Sequence, residues 1–217
     1  MKDKESLIRG ISGIFIILIM LSFIYSYNVI YDLIFVLMVG SIMSMEWNNM
    51  ISNSKDKINK NKWCLIGSIY VVLILVPWCI LKTLPDGNHL LMWLFIVVWS
   101  VDTFAYIVGG KLKLGKHKIS KISPKKSYEG LIGGMLASMI FGYLFADAFL
   151  PDYKYLLLYF TPIFACLEQA GDFTESYLKR KFEIKDSGNI IPGHGGFLDR
   201  FDGFLYLTLC LLIMLSI

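Results

Sequence analysis

"WCLIGSIYVVLILVPWCIL" occupies Trp63–Leu81 without one charged side chain. A hydrocarbon core of about 30 Å is crossed by roughly 20 residues of helix, so this run reads as a membrane span. Working outward gives similar runs near Ile8–Tyr25, Val29–Trp47, His89–Gly109, Gly130–Leu150, Tyr153–Gly171 and Phe201–Ile217. Composition agrees. Of 217 residues, 56% are hydrophobic and 18% charged, and the mean hydropathy is +0.60. A soluble domain could not cover itself with polar groups from such a supply. The expected fold is all-α, a polytopic transmembrane helix bundle of about seven spans.

The opening "MKDKESLIRGISGIFIILIMLSFIYSYNVI" starts basic and turns apolar, as a signal peptide does. No small-residue cleavage pattern follows, so it reads as a retained first helix. Cys64, Cys79, Cys166 and Cys210 sit in apolar runs at unrelated spacings. That argues against a disulfide framework or a zinc motif and for buried small hydrophobes. The net charge is only +4, but its placement is informative. One set of alternate gaps holds Lys2, Lys4 and Arg9, then Lys55 to Lys62, Lys111 to Lys126, and Lys179 to Arg200. The other set holds Lys82 and Lys154. By the positive-inside rule the N-terminus and all basic segments face the cytoplasm, and an odd span number puts the C-terminus outside.

Charge inside spans is costly and marks function by default. Asp102, in "FIVVWSVDTFAYIVGG", lies about eight residues from its cytoplasmic end, roughly 12 Å at 1.5 Å per residue. Glu168 and Asp172 lie at the same end of a later span, Arg200 and Asp202 open the last, and Glu46 closes the second. Of the acidic residues within spans only Asp32 and Asp147 approach an outer end, with Asp152 just beyond the latter. A polar cavity open to the cytoplasm is expected. A transport pathway would need polar groups in both leaflets, so a cation-binding transporter is the weaker reading.

In "LLLYFTPIFACLEQAGDFTES" and its continuation, Glu168, Asp172, Glu175 and Lys179 follow at four, three and four residues and share one helix face. Ser176 stands one turn beyond Asp172. For Glu175 and Lys179 a solvated, ion-paired face is the default; Asp172, in apolar surroundings beside Gly171, reads as functional. The segment is too long for one crossing, so it projects into the cytoplasm or breaks near Gly171. "KDSGNIIPGHGG" then carries Gly188, Pro192, Gly193, Gly195 and Gly196, which excludes a regular helix. Glycines let backbone N–H groups approach a phosphate, and Lys185 and His194 add donors. "LDRFD" sets Asp199 and Asp202 three residues apart around Arg200. Carboxylates beside bases and a Gly-rich loop suit a site where Mg²⁺ and phosphates meet.

The other basic loop is "GGKLKLGKHKISKISPKKSYEGLIGG". Lys111, Lys113, Lys116 and Lys118 serve as anchors to anionic head groups. Ser123–Pro124 makes a non-helical entry, and Ser127 to Glu129 start the next span. Lys125 and Lys126 then stand near a helix N-terminus, where they suit a polyphosphate and simple anchoring about equally.

"SYLKRKFEIKDSGNIIPGHGGFLDRFDG" closely resembles the C-terminal signature of the phosphatidate cytidylyltransferases, the CDP-diacylglycerol synthases. "VDTFAYIVGGKLKLGKHKISKISPKKSYEGLIGG" and "AGDFTES" are similar to that family's middle region, and together these stretches cover most of Val101 to Gly203. Ser127 stands where Thr is expected and Gly203 where Ser is expected. The chain is also shorter than the resemblance leads one to expect, and its first three spans carry no motif. A division follows into residues 1–100, N-terminal helices, and 101–217, a catalytic region with cytoplasmic loops 110–129 and 172–200.

The resemblance implies transfer of the cytidylyl group of CTP to phosphatidic acid, with Mg²⁺ and room for a second metal ion. It implies metal binding by Asp172 and Asp199 with Asp102 in support. Lys125, Lys126, Lys185 and Arg200 would neutralise phosphates, and the backbone of Gly193, Gly195 and Gly196 with His194 would cradle one. Ser123, Ser176, Arg180 and Asp186 join the substrate-binding set, and Glu175 and Asp202 support it, Asp202 by orienting Arg200. Expected partners are CTP, phosphatidic acid and membrane lipids, with no nucleic acid and a homodimer as the assembly; the expected place is a bacterial inner membrane. A CTP-dependent polyprenol- or phytol-type lipid kinase is the competing enzyme reading.

Overall fold

A computed structural model of the chain describes residues 2–52, 59–112, 114–120, 123, 126–184, 186–191 and 195–216, with side chains from residue 10 onward. The elements are α1 (Lys2–Ile24), α2 (Val29–Ser52), α3 (Lys60–Thr83), α4 (Gly87–Tyr106) extended by a wide π turn (Ile107–Lys111), α5 (Tyr128–Phe149), α6 (Lys154–Lys181), α7 (Leu198–Phe201) and α8 (Phe204–Ser216). Among the described residues there is no β-strand, only the isolated bridges Lys118–Ser127 and Ile191–Gly195. Helices Val29–Ser52, Lys60–Thr83, Gly87–Lys111 and Tyr128–Phe149 are long and apolar enough to cross a membrane. The chain is an all-α integral membrane protein. Helices α1, α6 and α8 stand where the other three spans were expected.

Two expectations are refined. The last span was expected to begin at Phe201; instead α7 ends there and α8 restarts at Phe204, with Asp202 and Gly203 in the turn between. Gly203 lies against Glu168, where a Cβ would come within 3.1 Å of Glu168 Cγ. Helix α6 runs unbroken through Gly171. That glycine serves close approach rather than a break, because a Cβ there would collide with the backbone carbonyl of Asp202.

The chain forms two compact units. One comprises Met1–Val76 and Leu178–Phe201, the other Pro77–Tyr177 and Asp202–Ile217. In the first, Phe23 and Phe35 stack with centroids 4.2 Å apart and join α1 to α2. Phe182, just beyond α6, is buried edge-on against Trp47 and Trp63 at 6.2 and 5.0 Å. Trp47 Nε1 donates to the Trp63 carbonyl at 2.8 Å. Such T-shaped pairs contribute about 0.5–1.5 kcal/mol each beyond area burial.

In the second unit α5 turns Gly130, Gly134, Ala137, Ser138, Gly142 and Ala146 inward. Hydrocarbon does not drive helices together, so small residues that let backbones touch supply the contact. A Cβ on Gly134 would stand 2.7 Å from the Val101 carbonyl oxygen and 3.1 Å from its Cα. Backbone cannot yield there. Gly134→Val is expected to destabilise by about 2–3 kcal/mol, lowering the detergent-solubilised Tm by several degrees. Gly10→Ala, with no atom within 4 Å of the new Cβ, should leave Tm unchanged or raise it. Equal melting of both variants would show that this helix contact is loose.

Cys64, Cys79 and Cys166 are exposed, and Cys210 half-buried, all as free thiols. Sequence placed them inside as small hydrophobes. In a membrane protein the outer face is itself apolar, so hydropathy does not separate core from lipid-facing positions.

Candidate active site

In the second unit the site is assembled from α4, α5 and α6. The π turn carries Leu112 N back to the Ile107 carbonyl at 2.8 Å, and wide turns of this type recur at functional positions. Gly109 in that turn faces Ser127, to whose Oγ a Cβ would come within 2.8 Å. Beyond it the basic loop folds back on α5. Ile119 N donates to the Lys126 carbonyl at 3.2 Å and Tyr128 N to the His117 carbonyl at 3.0 Å. His117 is tied to Glu129 through its ring Nδ1 at 2.6 Å. The span starts at Ser127 to Glu129 as expected, and Ser127 caps α5, extended at φ −134° and accepting from Gly130 N at 3.2 Å.

Between these elements lies a cavity of about 530 Å³ whose walls include Asp102, Tyr106, Lys118, Lys126, Ser127 and Gln169. That is within the usual range for a small-molecule site. Lys118, expected as a lipid anchor, is a wall residue here, because the loop's return brings it beside Ser127. Lys126 forms an ion pair with Asp172 Oδ2 and lies 4.8 Å from the Phe173 ring centroid. Its backbone N–H donates to the Ser123 carbonyl at 3.1 Å, so Ser123 fixes the turn that presents it. Ser176 Oγ donates to Asp172 Oδ1 at 3.1 Å, the one-turn partnership that spacing predicted.

Carboxylates gather in this unit. Asp202 accepts from Gly203 N at 2.8 Å and hydrogen-bonds Glu175, while Asp102 and Asp172 act on it electrostatically. Glu168 feels Asp102, Asp202 and Lys126 and accepts from Gln169 Nε2 at 2.7 Å. Glu175 was expected on a solvated face, yet it is 1% exposed. Its face of α6 turns inward, toward Asp202. Among the described residues no three His, Cys, Asp or Glu side chains form a ready metal cage.

In the first unit Asp199 organises the signature loop. Its Oδ2 accepts from Gly196 N at 2.8 Å and Ser187 N at 3.1 Å, and its Oδ1 accepts from Lys179 Nζ at 2.7 Å. Lys179, likewise expected to be solvated, keeps only 13% of its side chain exposed. Gly195 adopts φ +88°, where a Cβ is strained, and its carbonyl accepts from Ile191 N at 3.0 Å. Arg180, assigned to substrate, donates to the Ile184 carbonyl at 3.0 Å; Asp186 and Arg200 are exposed. Lys125, Lys185, Gly193 and His194 lie outside the described residues.

Glu46 reads in sequence only as the acid that closes the second span, with no role assigned to it there. From α2 it accepts from Phe197 N and Leu198 N, both at 2.9 Å, and it is 1% exposed. Its carboxylate fills the space beside Gly188 and Gly196, where Cβ atoms would stand 2.6 and 2.9 Å from its oxygens. Gly195 and Gly196, read as part of a phosphate cradle, here stand against the protein's own carboxylates, Asp199 and Glu46. The available signal was one acid at the end of an apolar span.

The Cytidylyltransferase family model matches residues 3–217. Three relatives named phosphatidate cytidylyltransferase illustrate the similarity. The Rickettsia conorii protein is 37% identical over 227 aligned positions, covering 98% of this chain and 94% of its own. That of Rickettsia felis is 38% identical, covering 100% and 95%. The Staphylococcus haemolyticus protein is 40% identical over 170 positions, 76% of this chain and 63% of its own. A chain expected to be short for the family is thus matched nearly end to end by the Rickettsia proteins. By this match across almost its whole length, the chain belongs to the cytidylyltransferase family.

Proposed function

We propose that this chain transfers the cytidylyl group of CTP to phosphatidic acid at the cytoplasmic face of a bacterial inner membrane. A phosphate oxygen of the lipid attacks the α-phosphorus of CTP, and the bond from that phosphorus to the α–β bridging oxygen breaks. CDP-diacylglycerol forms and pyrophosphate leaves. One observation carries the reading within a family of this activity. A cavity with two lysines and a carboxylate on its walls lies against two helices, Gly87–Lys111 and Tyr128–Phe149, that are apolar enough to span a membrane. A water-soluble nucleotide and a lipid phosphate can meet at such a place.

No protein nucleophile is required, since phosphoryl chemistry of this kind is driven by positioning and charge stabilisation. Lys126 and Lys118 meet phosphate oxygens, Asp172 aims Lys126, and Ser176 holds Asp172 in place. The donor chemistry suits Mg²⁺, which takes hard oxygen ligands and completes its shell with water and substrate phosphates rather than an all-protein cage. Asp172 would hold it, with Asp102 in support; Asp199, the other expected ligand, is engaged in its own unit by Lys179 and the Ser187 and Gly196 N–H groups. Bound there, it would neutralise phosphate charge and polarise the reacting phosphoryl group.

The test uses detergent-purified chain with phosphatidic acid, Mg²⁺ and CTP labelled in separate runs at the α- and γ-phosphates. α-Label is expected in the lipid product and γ-label in pyrophosphate. γ-Label entering a lipid alcohol would replace this reading with the lipid kinase.

A further inference from the structure

Gln169 lies on α6, three residues before Asp172, and is 6% exposed. Its Nε2 donates to Glu168 Oε2 at 2.7 Å. Glu168 is itself 2% exposed, so the bond between them is shielded from water. The bond fixes which end of the amide is committed: nitrogen faces the carboxylate, and the carbonyl oxygen is left over. Gln169 is at the same time a wall residue of the 530 Å³ cavity. Among the described residues Oε1 has no hydrogen-bond partner. An acceptor left open at a cavity wall, on a side chain held in one orientation, suits a donor from whatever fills the cavity.

We propose that Gln169 reads the nucleobase, its Oε1 accepting from the exocyclic amine of cytosine; this rests on the reading that CTP enters the cavity. Cytosine and uracil differ at that position in hydrogen-bond sense. Cytosine presents an N–H donor, which suits a carbonyl oxygen. Uracil presents an oxygen, which would face Oε1 acceptor to acceptor. Turning the amide over to suit uracil would detach Nε2 from Glu168 and leave a shielded carboxylate without that donor. Selectivity therefore comes from the pair: Gln169 supplies the acceptor and Glu168 prevents it from turning. Sites built to hydrogen-bond a substrate group discriminate far more strongly than sites that only fit its shape. Nothing in the reaction itself requires this role, since Gln169 touches the base and not the phosphates.

The test is calorimetric titration of the full-length, detergent-purified chain with CTP and with UTP in the presence of Mg²⁺. The wild-type chain is expected to bind CTP more tightly by about tenfold or more, the discrimination of one buried hydrogen bond. Gln169→Met, similar in length but without the acceptor, should bring the two dissociation constants within about threefold of each other, less than half a tenfold step in free energy. Gln169→Asn, which keeps the amide on a shorter stem, should fall between. If Gln169 only supports Glu168, both nucleotides will weaken by the same factor and the ratio will stand; that result overturns the proposal. So does a wild-type chain that binds CTP and UTP equally. Misfolded protein binds neither nucleotide and changes the number of sites, leaving the ratio of constants intact. The experiment is also separable from the label-transfer assay. Preference for CTP that Gln169→Met removes, in a chain that moves no label, would preserve the nucleobase subsite and sink the proposed reaction.

Discussion

Asp199→Asn is expected to reduce CDP-lipid formation by about 10²–10³-fold, the usual effect of losing one preorganised electrostatic group. The substitution keeps the shape and removes the charge. An amide cannot accept through both oxygens, so either Lys179 or the Gly196 and Ser187 N–H groups lose a charge-assisted bond worth about 1.5–3 kcal/mol. Two readouts separate the consequences. Loop loosening should appear as faster protease cleavage within residues 185–200, while the helices keep their circular dichroism. Lys179→Met should loosen the loop similarly, because a shielded carboxylate that loses its cation is strongly destabilising. An Asp199→Asn chain with more than a tenth of wild-type turnover would exclude Asp199 from the reaction.

Asp172→Asn should be at least as damaging, by about 10³-fold in kcat. Asp172 bonds Lys126 and Ser176 at once, so its loss frees a lysine at the cavity wall and removes the oxygen proposed above as a metal ligand. Lys126→Met should cost nearly as much. The double variant should be little worse than either single one, since residues that act as a unit are not additive. Steady-state assays with α-labelled CTP over a range of Mg²⁺ concentrations check both points. Multiplicative losses would mean that the ion pair is incidental to turnover.

Much of this site was legible in sequence because its logic is local. The start of α5 near Ser127 and Ser176 one turn from Asp172 can be read from sequence, and both stand in the structure. The helices followed from apolar length. What stayed hidden depends on distance along the chain. Nothing around Glu46 announces that its carboxylate will meet the backbone of Phe197 and Leu198. Lys179 and Glu175 have the spacing of an ordinary solvated face, and only packing turns it inward. The glycines misled for a related reason. Room for a phosphate and room for a neighbouring carboxylate or carbonyl require the same missing Cβ, and sequence does not say which will occupy it. The cysteines failed differently, because hydropathy cannot rank positions by burial when the solvent is hydrocarbon.

The seat of Glu46 has a consequence for how such a chain can change over generations. Its carboxylate occupies the space that side chains at 188 and 196 would need. A shorter residue at 46 would vacate the space beside 188, where Glu46 supplies every close atom, and lift the ban on a Cβ there; at 196 the Ser187 hydroxyl and the Gly188 backbone nitrogen would still forbid one. Substitutions at 46 and 188 should therefore be inherited together, while 196 stays glycine whatever stands at 46. The signature loop is then no cassette that can be transplanted alone, since part of its mould belongs to a helix in the half of the chain that carries no recognisable motif.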